Sequence, residues 1–394
     1  MKKIAIMGFG TVGGGVARVL VQNSARIARE LGEPVGVSHI LVRRDMGGEY
    51  AARMTQDFSV IENDPATTLV VETIGGCGAA YEYTKRALSA GKHVVTANKE
   101  LVAEHGEELL ALAAQKGVRY LFEASVGGGI PILRPLRACL SSDEISEVYG
   151  ILNGTTNYIL TRMFSQGATF ASALKEAQEL GYAEADPTAD VEGIDAGRKI
   201  SILSALAFGE QVRPGDVSMQ GITRIDAADV AICRAMGWRI KLLGRSVRLD
   251  DGSLCAYCAP HVVSLCNGIS TVDDVYNAIT VCGAATGDVM FYGRGAGALP
   301  TASAVVSDVV EALRGEKPRA SEKWSAARKV CGADELASRW YIRAEDAAKT
   351  RALFADAEIW ECESGVAAVT QPMRERELLE RLGDTVISAR LRVL

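Results

Sequence analysis

The sequence is short of several things, and each shortage removes a class of protein. No run of about 18 consecutive apolar residues occurs in the 394 residues, so no membrane-spanning helix is expected. The opening MKKIAIMGFG has two lysines and an apolar run broken at once by glycines, too short for the core of a secretion signal. A cytoplasmic location is expected. Positive charge is scarce as well: 43 Lys and Arg stand against 49 Asp and Glu, a net charge of −6 with no basic stripe. Nucleic acid and anionic membrane are therefore not expected as partners. Low-complexity tracts and tandem repeats are also missing.

A disulfide framework is lacking too. The nine cysteines are odd in number and scattered, as expected for buried small hydrophobes in a large intracellular chain. One cluster, CAYCAPHVVSLC, gathers Cys255, Cys258, His261 and Cys266. Its spacing matches no zinc-finger pattern, which favours packing over a zinc site.

What is present is organised. The length suggests two or three domains. The first third alternates β-branched runs (KKIAIMG, GVSHILVRR, TTLVVETIGG, KHVVTANK, VRYLFEAS) with helical patterns, which predicts an α/β, Rossmann-type doubly wound sheet. This domain is expected over 1–135, with a returning helix near 296–315. An α+β second domain follows over 136–295, with strands at DEISEVYGILNG, SLCAYCAPHVV and DVMFYG and longer helical stretches between them. The charged, proline-bearing RGEKPRASEK (314–323) reads as a hinge. Residues 320–394 then read as a small independent βαββαβ sandwich.

GFGTVG sets Gly8, Gly10 and Gly13 between the first strand and its helix, which is the dinucleotide fingerprint in its proper context. Thr11 and Val12 complete that turn, where the helix N-terminus faces an anion. The acid that would grip the ribose of NAD is missing after the second strand, where Arg43 and Arg44 stand instead. Guanidinium groups suit a 2′-phosphate and favour NADP(H), unless both are simply solvated. Asp45 beside them keeps NAD(H) open.

VVTANKELVAEHG puts Lys99 at the end of a buried strand, where doubly wound sheets bind ligands. Glu123 precedes a glycine-rich turn whose carbonyls can converge, and ILNGTTNYI offers Thr155, Thr156 and Asn157 as donors. GYAEADPTADVEGIDAGRK holds five carboxylates and two cations. Together with VETIGG, FEASVGGGIPIL and YGRGAGALPTASAVVSD, these segments closely resemble the homoserine dehydrogenases over about residues 1–310, in the order that family uses.

The resemblance implies interconversion of L-aspartate 4-semialdehyde and L-homoserine with a nicotinamide cofactor, on the route to threonine and methionine. It implies catalytic roles for Lys199, as proton donor, and for Lys99, between cofactor and substrate. Glu184, Asp190 and Asp195 match the substrate-binding acids, and Thr155 and Tyr182 frame the substrate. Gly181 and Gly297 match cofactor contacts. Glu123, Val126, Gly128 and Ile130 match a structural site for a monovalent cation, sodium, built from main-chain oxygens and one carboxylate. The resemblance alone implies that the domain over 136–295 binds substrate and dimerises, and a homodimer or homotetramer is expected.

Elementary chemistry agrees with these roles. The substrate ammonium needs carboxylates, and hydride delivery to an aldehyde builds negative charge on oxygen that a lysine can neutralise. Asp195 and Lys199 are spaced i, i+4, on one helix face. Such pairs are also common on solvent faces, where they contribute little. Two other readings compete: a non-catalytic nucleotide sensor, and an aldehyde-oxidising enzyme with Cys77 or Cys139 as nucleophile. The C-terminal βαββαβ order resembles the ACT-type regulatory domain found in many of these enzymes. It lacks the aspartate–x–proline–glycine–leucine segment usual there, so an oligomerisation role is equally open. The run GGG at 13–15 exceeds what the fingerprint needs.

Overall fold

Strand β1 (Lys2–Met7) ends in four fully buried residues, Ile4 to Met7. A strand covered on both faces belongs inside a parallel sheet. In the computed structural model, which describes residues 1–44, 46–315, 324–326 and 329–394, β1 is joined by β2 (Val35–Leu41), β3 (Met54–Thr55), β4 (Thr67–Glu72), β5 (His93–Thr96) and β6 (Tyr120–Leu121). All six are parallel, in the order β3-β2-β1-β4-β5-β6. That is the doubly wound order of dinucleotide-binding folds, reversing between β1 and β4.

The chain forms two compact units. The first comprises residues 1–143, 205–211 and 296–326, and the second residues 144–204, 212–295 and 327–394. The core of the first joins Ile4, Ile6, Val16 and Leu20 to Val305, Val306 and Val309 of the helix Ala298–Leu313. The glycine run now divides. A β-carbon on Gly13 would lie 2.1 Å from the Gly8 carbonyl oxygen, and one on Gly15 would lie 3.1 Å from the β-carbon of Ala302. Gly15 thus lets the helix Thr11–Gln22 approach Ala298–Leu313 closely. Nothing in the structure explains Gly14.

The second unit starts with β7 (Ile145–Ile151). The chain then contributes β8 (Glu210–Gln211) to the first unit before returning as β9 (Ser218–Met219), β10 (Trp238–Arg248), β11 (Leu254–Ser264), β12 (Tyr276–Gly283) and β13 (Gly287–Arg294). Strand β14 (Ser325–Ala326) pairs with β8. The chain ends with β15 (Val330–Cys331), β16 (Arg339–Ala344), β17 (Glu358–Cys362), β18 (Gly365–Val369) and β19 (Ile387–Val393). An eleven-stranded sheet runs β13-β12-β7-β10-β11-β19-β16-β18-β17, with β9 and β15 also on β11.

The C-terminal βαββαβ order is present, with helices Ala347–Leu353 and Glu375–Leu382, but the segment is not independent. Parallel pairing of His261 and Val262 with Arg392 and Val393 joins β19 to β11, and residues 327–394 share the second unit. Strands β10 and β12 lie where helices were expected. From residue 316 the expected hinge lies outside the described residues, as does Asp45. The zinc quartet does not form, because alternation along β11 sends Cys255 and His261 to one face and Cys258 to the other. The His261 ring nitrogens lie 3.2 Å from the Tyr257 hydroxyl and 2.9 Å from the Ala259 carbonyl. No helix among the described residues is long and apolar enough to cross a membrane.

Candidate active site

In the first unit, the parallel strands all deliver their C-terminal ends to one edge. After β1 comes Gly8, at φ 90°, and then Gly10, the N-cap of Thr11–Gln22, with no side-chain hydrogen bond capping that helix. The first-turn amides of Thr11, Val12 and Gly13 are therefore available to an anion. The missing side chain at Gly13 makes room for the close turn, since its β-carbon would also meet the Thr73 hydroxyl at 2.9 Å. Arg43 and Arg44 follow β2 and are exposed.

After β4, the buried Glu72 carboxylate accepts the Ile74 amide (2.6 Å), the Gly75 amide (3.2 Å) and the Thr96 hydroxyl. Burial raises its pKa above the usual carboxylate range, against those hydrogen bonds. Asn98 caps the helix Lys99–Lys116 by accepting the Leu101 amide, and donates to the Gly76 carbonyl at 2.6 Å. These bonds fix Lys99, half-buried, as the first helical residue after β5. Gly297, at φ 128°, is the N-cap of Ala298–Leu313.

At the expected cation loop, the Glu123 carboxylate accepts the amides of Ile132 (2.7 Å), Leu133 (2.9 Å) and Arg134 (2.7 Å) and so acts as a helix cap. The Glu123 amide donates to Asp308 at 2.7 Å. Burial and the Glu123 charge push the Asp308 carboxyl up to about 7. Val126, Gly128 and Ile130 are buried, and no hydrogen bond to their carbonyl oxygens is found among the described residues.

The second unit holds the acid cluster. The helix Phe170–Glu179 ends in a turn through Gly181 (φ 74°), where the Tyr182 amide donates to the Ala177 carbonyl. The Tyr182 ring packs edge-on against Tyr158, and its carbonyl accepts the Thr155 hydroxyl at 2.6 Å. Glu184 is exposed. Asp186 caps Thr188 at the start of the short helix Thr188–Val191, which carries Asp190. Gly193, at φ 80°, turns the chain into Ile194–Phe208, which carries Asp195 and Lys199.

Here the solvent-face reading fails. Asp195 and Lys199 are only 6% and 8% exposed. The Lys199 ammonium donates to Asp195 Oδ2 and to the Leu152 carbonyl, both at 2.7 Å. An ammonium has three N–H donors, and these two bonds to the described residues use two of them. Asn157, expected as a donor, gives its amide to the carbonyls of Val272, Asp274 and Tyr276. Thr156 turns its hydroxyl back on Asn153. Asn153 itself was missed from the sequence. Its amide nitrogen reaches Asp190 Oδ1 at 2.7 Å and Asp195 Oδ2 at 2.9 Å.

A doubly wound dinucleotide sheet carrying the glycine fingerprint, in one chain with a buried acid–lysine pair, defines a nicotinamide-dependent oxidoreductase. Two family models divide the chain: the homoserine dehydrogenase NAD-binding domain matches residues 8–123 and homoserine dehydrogenase matches 131–310. The homoserine dehydrogenase of Pseudomonas aeruginosa is 45% identical over 318 residues, 79% of this chain and 72% of that one. That of Bacillus subtilis is 42% identical over 317 residues, covering 79% and 73%. Among solved structures, a homoserine dehydrogenase from Thiobacillus denitrificans covers 100% of this chain and 98% of its own, with TM-score 0.90 and 36% identity. An archaeal homoserine dehydrogenase in complex with NADPH matches 80% of this chain and 99% of its own, with TM-score 0.68 and 28% identity. The chain belongs to the homoserine dehydrogenase family. It is an oxidoreductase interconverting L-aspartate 4-semialdehyde and L-homoserine, and the sensor and cysteine-nucleophile alternatives fall away.

Proposed function

We propose that Lys199 is the proton donor and acceptor at the substrate's aldehyde or alcohol oxygen. The observation that carries this is the buried Asp195–Lys199 pair, whose ammonium uses two of its three N–H donors on Asp195 and Leu152. Bound nicotinamide supplies or accepts the hydride. In the reducing direction, Lys199 neutralises the oxygen that acquires negative charge and gives it a proton. In the oxidising direction, the amine takes the hydroxyl proton.

Glu184 and Asp190, with Asp195, supply carboxylates for the substrate ammonium, while Thr155 and Tyr182 shape its surroundings. Lys99 contributes a second cation at the cofactor edge of the first unit. The cradle at Gly8, Gly10, Thr11, Val12 and Gly13 fits a pyrophosphate, because only glycine is tolerated at Gly13. Gly181 and Gly297 complete the proposed cofactor contacts. Exposed Arg43 and Arg44 support NADP(H) over NAD(H).

The carbonyls of Glu123, Val126, Gly128 and Ile130 are the proposed sodium ligands. Three carbonyls of buried residues, with no hydrogen-bond donor among the described residues, suit a hard monovalent cation in a structural role. Assembly as a homodimer or homotetramer belongs to the same reading, supported by Met290 and Tyr292 exposed on edge strand β13. A regulatory or oligomerisation role for the C-terminal βαββαβ segment is supported by its strand order β19-β16-β18-β17, that of ferredoxin-like modules.

The test is the purified protein with homoserine and NADP⁺ or NAD⁺, followed at the nicotinamide absorbance. Reduction with homoserine and faster turnover with NADP⁺ are expected. Arg43→Ala with Arg44→Ala should weaken NADPH and leave NADH unchanged, and an unaltered preference would remove both arginines from the cofactor site.

A further inference from the structure

We infer that Asn153 is a positioning residue for the reaction: its carboxamide locks Asp190, Asp195 and, through Asp195, Lys199 into one working geometry. The inference rests on the role proposed for Lys199 and deepens it. Asn153 is the N-cap of the helix Gly154–Gln166 and is only 6% exposed. Its Oδ1 accepts the Thr156 amide at 2.9 Å. A backbone N–H can only donate, so this contact fixes which end of the amide is oxygen. The nitrogen end therefore faces the two carboxylates, and each of its hydrogens has one acceptor: Asp190 Oδ1 at 2.7 Å and Asp195 Oδ2 at 2.9 Å.

Two features make this more than a cap. Asp190 and Asp195 carry like charges, and a two-donor bridge offsets their repulsion while setting their separation. The bridge also closes a ring. Lys199 donates to Asp195 Oδ2 and to the carbonyl of Leu152, the residue before Asn153. The ammonium is thereby referenced to the backbone at the end of β7 along two routes, one direct and one through Asp195 and Asn153. Fixing two of its N–H directions also fixes the third, the one presented to the reacting oxygen. A helix cap needs only the Oδ1 contact, whereas the Nδ2 contacts serve the acids.

Asn153→Ser and Asn153→Asp separate these roles, because serine and aspartate are both good N-caps and neither supplies two donors. For Asn153→Ser, kcat per NADPH-binding site should fall about 10- to 100-fold, with KM for homoserine rising less than about five-fold. NADPH affinity should stay within about two-fold, and the melting temperature within a few degrees. Asn153→Asp, which sets a third carboxylate against the first two, should lose more turnover than Asn153→Ser. If Asn153→Ser keeps turnover within about three-fold of the parent, the inference is wrong and Asn153 is only a cap. If both variants melt more than about 10 °C lower, the inference is also wrong, because the Nδ2 contacts then hold the fold rather than the reaction. Lys199→Ala is measured alongside. If it stays active, the Lys199 proposal fails. If it is inactive while Asn153→Ser is not, only the inference about Asn153 falls.

Discussion

Gly13 lies so close to Gly8 that a β-carbon on it would come within 2.1 Å of the Gly8 carbonyl oxygen and 3.1 Å of its carbon. The obstacle is backbone and cannot swing aside, so Gly13→Ala must open the turn after β1. NADPH affinity is expected to fall by about ten-fold or more, measured by fluorescence titration, with a lower melting temperature. Gly14→Ala is the control, since nothing lies within 4 Å of its β-carbon. It should bind NADPH normally and gain up to about 1 kcal/mol from helix propensity.

Lys199→Ala should lower turnover by about 10²- to 10⁴-fold while NADPH binding stays within a few-fold. It also leaves a buried Asp195 without its cation, so stability should fall, unlike removal of an exposed ion pair. Lys99→Ala should likewise lower turnover by orders of magnitude with near-normal NADPH affinity. Steady-state assays with homoserine check both, and near-parental rates in either variant would cancel the role assigned to that lysine.

Asp64 should set part of the acid limb of stability. Bonds from the Thr67 hydroxyl and the Ala66 amide, with His39 nearby, lower its pKa from 3.8 to about 2. The folded state thus holds this proton less readily than the unfolded one. The stabilisation is complete above 3.8 and is lost as pH falls toward 2. Asp64→Asn should cost about 1 kcal/mol at neutral pH, allowing for partial solvent screening, and nothing near pH 2. Urea titrations across that range would show the two curves converging in acid.

Glu123→Ala strips the acceptor from three amides at the start of the helix Leu133–Ala138. A loss of about 3 kcal/mol is expected, equal in sodium and in choline buffers, because what the substitution removes is the acceptor of three amides. A loss confined to sodium buffer would make the carboxylate a cation ligand instead.

Much of the first unit was readable in advance because its signals are local: glycine spacing, strand runs and helix stops sit next to what they specify. The pair at Asp195 and Lys199 was visible as an i, i+4 spacing, but its burial was not. Asn153 escaped notice because a cap residue before glycine looks like any turn, and its acidic partners are 37 and 42 positions away. Strand β10 was obscured by its own charges. Lys241 is buried, donating to the Val272 carbonyl and to Asn157, and Arg245 pairs with Glu147 at 2.6 Å. Inward charges with distant partners mimic an exposed helix. The parallel pairing of β19 with β11 joins residues about 130 positions apart and leaves no local trace.

The seating of Ala298–Leu313 against Gly15 has a consequence for the chain while it is being made. Val16 and Leu20 wait for a cover that the ribosome releases only when residue 313 has emerged. The whole of residues 144–204, with β9 to β13, is synthesised during that wait. The nucleotide half starts first and closes late, so a nascent chain stalled before residue 298 would present an open apolar seam beside its finished glycine turn.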